Sequence, residues 1–259
     1  MFAETFDQQG CLVIDRLFDP ALIDSVRREY EAQYSSFDPA NLPPHMNVGD
    51  KRLHLPLRLR GPLLQAELYA HPLLMTILAN ILRTTFVIDN VNCVTALPGA
   101  SDQKFHRDHP HLFAEQDGLA ATLPVFAVTV AIPLIDLDQA TGTTKLFAGS
   151  LSATGDEKNG PLSFDKEICP FVKRGGCFMM DYRLWHRGMA NLSQRDRPIL
   201  YIVYAREWFT DVINFQKHSR MVIDESDLRQ IPIEHRQMFR RGAAKGLHDL
   251  SIKELMAAP

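Results

Sequence analysis

The stretch Gln103 to Phe113, QKFHRDHPHLF, holds the residue types best suited to chemistry. His106 and Asp108 stand two apart, and side chains at that spacing on an extended strand project from one face. An imidazole and a carboxylate presented together are two corners of the 2-His-1-carboxylate arrangement. Such a set holds a non-haem Fe(II) on one side and leaves the opposite positions open for substrate and oxygen. The best third corner is His186, which follows an apolar strand-like run and precedes a polar turn and another apolar strand. Arg197 comes eleven residues later, and a hairpin of that length returns a guanidinium to the neighbourhood of the histidine. Guanidinium and carboxylate pair through a planar two-point fork, so a buried Arg beside an iron site suits a dicarboxylate co-substrate such as 2-oxoglutarate. Each feature is weak alone, and their order along the chain is what makes them specific.

The neighbouring residues sort less cleanly. His109 and His111 flank Pro110, which ends the strand, so they are expected beside the metal rather than on it. Strict alternation puts Gln103 on the face opposite His106, and only a bulge or turn after Gly99 would bring it to the site. Thr143 offers a hydroxyl to a carboxylate and serves equally as an ordinary strand residue. Arg187 and Arg195 compete with Arg197 for an anion, but Arg197 leads into Pro198 and an apolar strand and is the one expected to point inward. Asp196 faces the other way and is not its expected partner. Trp185 is expected to pack.

These residues need elements to hold them. Cys11 and its neighbours read as a short strand, and Asp19-Pro20 caps a helix to Tyr34 with Leu22, Ile23 and Val26 on one face. Residues 35–60 are rich in Pro, Asn and Arg, with alternation only in RLHLPLRLR, and are expected to give a lid loop and one strand. His45, Arg52, His54, Arg58 and Arg60 fall there and are each expected to be solvated polar residues. Leu63 to Leu82 reads as helix interrupted at His71-Pro72. Strands are expected at TFVIDNVNCVTAL, through the His106–Asp108 pair, and at PVFAVTVAIPLIDL, TTKLFAGS, CFMMDY and ILYIVYAR. Two helices before many short strands predict an α+β chain with a β-sandwich or jelly-roll core. The division expected is one domain over residues 1–259, with a helical flank and lid loop to 84, the core over 85–208 and an extension from 209.

Composition excludes several functions. The 259 residues are 46% hydrophobic, which suffices for a sizeable core, and the net charge of −3 is spread without a basic face for nucleic acid. A small-molecule partner is expected instead. The acidic start MFAETFDQQG lacks a secretory pattern, and the run PLLMTILANILRTTFVI is broken by Asn80 and Arg83. A cytoplasmic protein with no membrane partner is expected. Cys11, Cys93, Cys169 and Cys177 show no CxxC spacing and are read as small buried hydrophobes or isolated thiols.

The segments GCLVIDRLFDPALIDSVRRE, LPGASDQKFHRD, TGTTKLFAGS and WHRGMANLSQRDRP together resemble the phytanoyl-CoA dioxygenase family of Fe(II)/2-oxoglutarate oxygenases. The resemblance covers most of the chain and implies a double-stranded β-helix, or cupin-like jelly-roll, core. It implies iron on His106, Asp108 and His186, the far carboxylate of 2-oxoglutarate on Arg197, and a hydrogen bond from Gln103 to the co-substrate. Ala148-Gly149-Ser150-Leu151 departs from the family's Pro-Gly-Ser-His loop, which removes any role of that histidine and leaves the iron ligands untouched. The implied reaction consumes O2, releases succinate and CO2, and most often hydroxylates a small organic substrate. Halogenating relatives lack the carboxylate that Asp108 supplies here. Two other classes stay open: a cupin-like metal enzyme that does not use 2-oxoglutarate, which would dispense with Arg197, and a non-catalytic small-molecule-binding homologue.

Overall fold

In the computed structural model, which describes residues 2–34, 46–113, 115–116, 119–215 and 220–242, helices gather on one side of an antiparallel barrel. Helix α1 (Phe2–Gln9) leads into β1 (Cys11–Ile14) and α2 (Pro20–Tyr34). The start of α2 follows the sequence: Asp19 Oδ1 accepts the Ala21 N–H at 2.9 Å, and Leu22, Ile23 and Val26 are buried. Helix α1 is not predicted, because its only buried side chain is Phe6 and no apolar period shows. Next come β2 (Arg52–Pro56), α3 (Ala66–Tyr69), α4 (Pro72–Leu82) and β3 (Phe86–Ala96). The helical break falls at His71-Pro72 as expected, and the His71 side chain accepts from the Leu73 N–H at 3.3 Å to cap α4.

The remaining strands are β4 (Ala127–Pro133), β5 (Thr144–Ala148), the short ribbon β6 (Gly155–Asp156) and β7 (Gly160–Pro161), β8 (Lys166–Ile168), β9 (Cys177–Asp181), β10 (His186–Gly188) and β11 (Arg197–Arg206). A six-stranded sheet in the order β1-β9-β4-β11-β3-β2 faces a three-stranded one, β10-β5-β8. This is the cupin-like jelly roll that the sequence predicts. Alternation divides its residues as a two-faced sheet requires. Outward Val91, Cys93, Val130, Leu200 and Ile202 pack with Ile23, Val26, Leu78 and Ile81 of the helices, while inward Ala131, Phe178 and Ile199 meet Leu146 and Ala148 of the smaller sheet. A buried Leu or Ile contributes about 1.5–3 kcal/mol, so polar residues at inward positions are costly and call for a reason. Arg52, Asn90, Asn92, Thr129 and Arg197 are such residues, all buried.

Two local expectations need correction. The strand through His106 and Asp108 is a single bridge: His106 exchanges backbone hydrogen bonds of 3.0 and 2.9 Å with His186, and the chain then bends at Asp108 and His109. The bend, not strand alternation, brings the imidazole and the carboxylate together. Of the expected lid, residues 35–45, including His45, lie outside the described residues, and the stretch after them is drawn into β2, where Arg52, Leu53 and Leu55 are buried. The stretch beyond β11 docks on the sheet and helices, with Phe239 edge-on to Tyr69 at 4.8 Å, and residues 243–259 again lie outside the described part. Among the described residues no helix is long and apolar enough to cross a membrane.

Candidate active site

His106, Asp108 and His186 converge so that one ligand atom from each lies within 4.8 Å of the others. The ring centroids of His106 and His186 are 4.3 Å apart. Each imidazole is oriented by its own backbone: His106 Nδ1 donates to the Lys104 carbonyl at 2.9 Å and His186 Nδ1 to the Leu184 carbonyl at 3.0 Å. A carbonyl only accepts, so both rings carry the proton on Nδ1 and keep Nε2 as a lone pair, the state a metal requires. Asp108 Oδ2 accepts from the Thr129 hydroxyl at 2.9 Å, which leaves Oδ1 facing His186 Nε2 at 3.4 Å. Two acceptors pointing at each other need a proton or a cation between them. The residues thus fit a divalent metal. Burial, reinforced by the neighbouring His186, pushes His106 down to about 4, so it stays neutral. Burial acts against charge on His186 too, but the Asp108 carboxylate outweighs it and raises that histidine.

A second feature lies on the inner face of the larger sheet, across from the sheet that carries His186. Arg52 of β2 and Arg197 of β11 both pair with Ala96 of β3, so the three form one row across the sheet with the small residue in the middle. The guanidiniums meet at one carbonyl: Arg52 Nη2 and Arg197 Nη1 donate to Met189 O at 3.0 and 2.9 Å. Their other partners are the carbonyls of Ser101 and Thr141, each at 3.0 Å, and that of Thr143 at 3.5 Å from Arg197 Nη1. Among the described residues neither meets a carboxylate, and both Nε atoms are buried without a partner. Burial, and then the charge of Arg52, lower Arg197 to about 10, so it remains cationic at neutral pH, and burial lowers Arg52 too. Two glycines make room. A Cβ on Gly188 would lie 2.7 Å from Arg52 Nη1, and one on Gly142, whose φ is +68°, would lie 2.7 Å from Arg197 Nη1.

A cavity of about 720 Å3, within the range of small-molecule sites, opens at the metal-type cluster, and neither Arg52 nor Arg197 is among the residues that line it. His106, Asp108 and His186 line it together with Thr144, Tyr201, Asn90, Asn92, His54 and Phe215. Gln103 does reach it, because the chain after Gly99 is irregular, as the expectation required. Its carboxamide is largely engaged: Oε1 accepts the Gly188 N–H at 3.0 Å and Nε2 donates to the Val48 carbonyl at 3.2 Å. The Thr143 hydroxyl is turned to the Pro170 carbonyl at 3.0 Å, and it is Thr144 that faces the cavity. His109 and His111 bond to the backbone at Pro110 and Leu151, and Trp185 packs under Arg107 at 4.7 Å. Arg187 pairs with Asp102 at 3.0 Å, and Arg195 lies 3.9 Å from Asp138 at the surface. Arg52, expected as a solvated polar residue, is instead buried in the Ala96 row. Its signal was the alternation RLHLP, which puts Arg52 and His54 on one face of a strand.

A family model described as phytanoyl-CoA dioxygenase (PhyH) matches residues 6–199. Among solved structures, the chain is similar to the non-haem α-ketoglutarate-dependent epimerase SnoN from nogalamycin biosynthesis, at 14% identity over 79% of this chain and 81% of that one, with a TM-score of 0.59. HygX from Streptomyces hygroscopicus, with nickel, 2-oxoglutarate and hygromycin B bound, is 20% identical over 80% and 86%, with a TM-score of 0.59. AviO1 from Streptomyces viridochromogenes is 18% identical over 80% and 94%, with a TM-score of 0.56. At these identities the likeness is one of fold.

Proposed function

The chain belongs to the phytanoyl-CoA dioxygenase family, and on that premise we propose that it is a non-haem Fe(II)- and 2-oxoglutarate-dependent dioxygenase that hydroxylates a small organic substrate and releases succinate and CO2. The observation that carries the reading is the presence, inside one barrel, of three converging metal-type ligands and of two buried guanidiniums on the larger sheet that meet no described carboxylate. A bound iron with 2-oxoglutarate and O2 supplies the oxidation of a C–H bond, coupled to decarboxylation of the co-substrate.

The chain's own residues do the rest. His106 and His186 present Nε2 lone pairs held by their Nδ1 hydrogen bonds, and Asp108 supplies the anionic ligand oriented by Thr129. Arg197, with Arg52 beside it, takes the far carboxylate of the co-substrate and so sets the keto-acid end toward the metal ligands. Gln103 keeps one carboxamide hydrogen for the co-substrate. Thr143 acts through its backbone, with its carbonyl 3.5 Å from Arg197 Nη1. The outer cavity, with Asn92, His54 and Phe215, takes the substrate. Hygromycin B in HygX and the nogalamycin pathway of SnoN support a small organic molecule there.

A cupin-like enzyme without 2-oxoglutarate would leave two buried cations unanswered, at a cost of several kcal/mol or so. The test is succinate production from 2-oxoglutarate with Fe(II). The parent should form succinate slowly without substrate and His186→Ala should form none, while both keep the same circular dichroism. A parent that binds Fe(II) tightly but never consumes 2-oxoglutarate sinks the reading.

A further inference from the structure

Past the end of β11 the chain folds back over the cavity, and Ile213, Asn214 and Phe215 form part of its outer wall. The anchor of this segment is Asp211, a fully buried carboxylate. It accepts from the Tyr182 hydroxyl at 3.0 Å, from the backbone N–H groups of Ile213 and Asn214 at 3.1 and 3.0 Å, and from Asn214 Nδ2 at 2.8 Å. Asn214 Nδ2 also donates to the backbone carbonyl of Asp108, at 2.6 Å. The wall therefore grips the main chain of a residue whose side chain belongs to the metal-type cluster.

The grip matters because of where Asp108 sits. Only His106 is bridged into a sheet, so the bend at Asp108 has no strand ladder to fix it. Its carbonyl is answered by Asn214, and the next N–H, that of His109, by the Tyr182 carbonyl at 3.2 Å. Tyr182 is itself bound through its hydroxyl to Asp211, so both ties lead to the same buried carboxylate. The wall is packed as well as bonded: Phe215 is buried, with its ring 6.0 Å from that of His54 and the Arg220 guanidinium over it at 5.3 Å. Displacement of that wall has a hydrogen-bonded path to the Asp108 main chain.

We propose that Asn214 is a positioning residue for Asp108, making the substrate-side wall and the metal-ligand bend one hydrogen-bonded body. This rests on the reading of His106, Asp108 and His186 as metal ligands. A ligand that fills the outer cavity against Ile213 and Phe215 then acts on the placement of the carboxylate beneath it. Without Asn214 the bend keeps its sequence and its ligands but loses its outer restraint.

The test is a titration with Co(II), whose visible absorption reports ligand geometry, on the full chain. Asn214→Ala and Asn214→Leu should bind Co(II) about tenfold more weakly than the parent, with a changed spectrum and thermal unfolding close to the parent's. Val212→Ala, an exposed neighbour on the same segment, should match the parent. Parent-like affinity and spectrum in both Asn214 variants overturn the proposal while leaving the metal reading intact, provided Asp108→Ala loses Co(II). If Asp108→Ala binds as the parent does, the metal reading fails and the proposal falls with it.

Discussion

Strand β3 is met by a pair of arginines near each end, and the two pairs are handled in opposite ways. Near its start, the fully buried Asp89 takes Arg220 at 3.1 Å and also Arg241, both from the stretch that follows β11. Near its end, Ala96 stands between Arg52 and Arg197, which meet carbonyl oxygens and no described acid. The pair without an acid is the more deeply buried, at 1% and 2% exposure. A buried guanidinium without a counter-charge is costly, whereas one with a partner can hold two segments together. The Asp89 cluster is therefore a finished structural clasp. The Ala96 row has no such acid among the described residues, and under the proposed function it is the co-substrate that supplies the counter-charge.

The largest effect expected from this contrast is on stability. Asp89→Ala removes the acid from the finished cluster and leaves two largely buried cations, which should cost about 3–5 kcal/mol and lower the unfolding temperature by on the order of 10 °C. Chemical denaturation decides it, and a loss below about 1 kcal/mol would erase the distinction between the clusters. The converse change is Ala96→Asp, which gives the open row the acid it lacks. That variant should be at least as stable as the parent, yet gain no thermal stabilisation from 2-oxoglutarate. The parent should gain roughly 3 kcal/mol at a hundredfold excess over its dissociation constant. Equal stabilisation of both would show that the dicarboxylate does not use the arginines.

Smaller, because one guanidinium remains, is the effect of losing either arginine. Arg197→Ala should weaken apparent 2-oxoglutarate affinity by about a hundredfold, from the loss of charge-assisted hydrogen bonds, with iron binding kept. Arg197→Lys should recover part of this, having the charge without the fork, and Arg52→Ala should fall between them. Arg195→Ala, at the surface and 3.9 Å from Asp138, should be neutral. Isothermal titration of the four variants checks the order, and a loss carried by Arg195→Ala would reassign the anion site.

What the sequence made legible follows from the range of the forces involved. The start of α2 and the break at His71-Pro72 are set by caps and proline within a few residues, and they appear where expected. The long strands Phe86–Ala96 and Arg197–Arg206 show themselves by β-branched apolar runs. The convergence of His106, Asp108 and His186 was signalled by residue type and spacing, although the local conformation at Asp108 is a bend. The pairing of Arg52 with Arg197 was hidden because it runs through Ala96, far away in the chain from both and adjacent to them only through sheet register. The Asp211–Asn214 tie was hidden for the same reason, since Asp108 lies 106 residues from Asn214.

Gln103, beside the Ala96 row, offers the smallest and sharpest test of its proposed role. Its Oε1 accepts the Gly188 N–H, and a Cβ built on Gly188 would lie 2.4 Å from that oxygen and 2.7 Å from Arg52 Nη1, so the carboxamide sits beside the guanidinium. Gln103→Ala removes both the clasp on Gly188 and any hydrogen bond to the co-substrate, and should cost about 1 kcal/mol of stability and a few-fold in 2-oxoglutarate affinity. Gln103→Glu separates these losses. It keeps an acceptor for Gly188, so stability should hold, but it places a carboxylate next to Arg52 and partly answers the charge that the co-substrate is proposed to answer. Affinity for 2-oxoglutarate should therefore drop further in Gln103→Glu than in Gln103→Ala, even though the glutamate is the closer mimic in shape. If the order is reversed, Gln103 matters as a hydrogen-bond donor and the arginine row is not the electrostatic receptor that its missing acid implies.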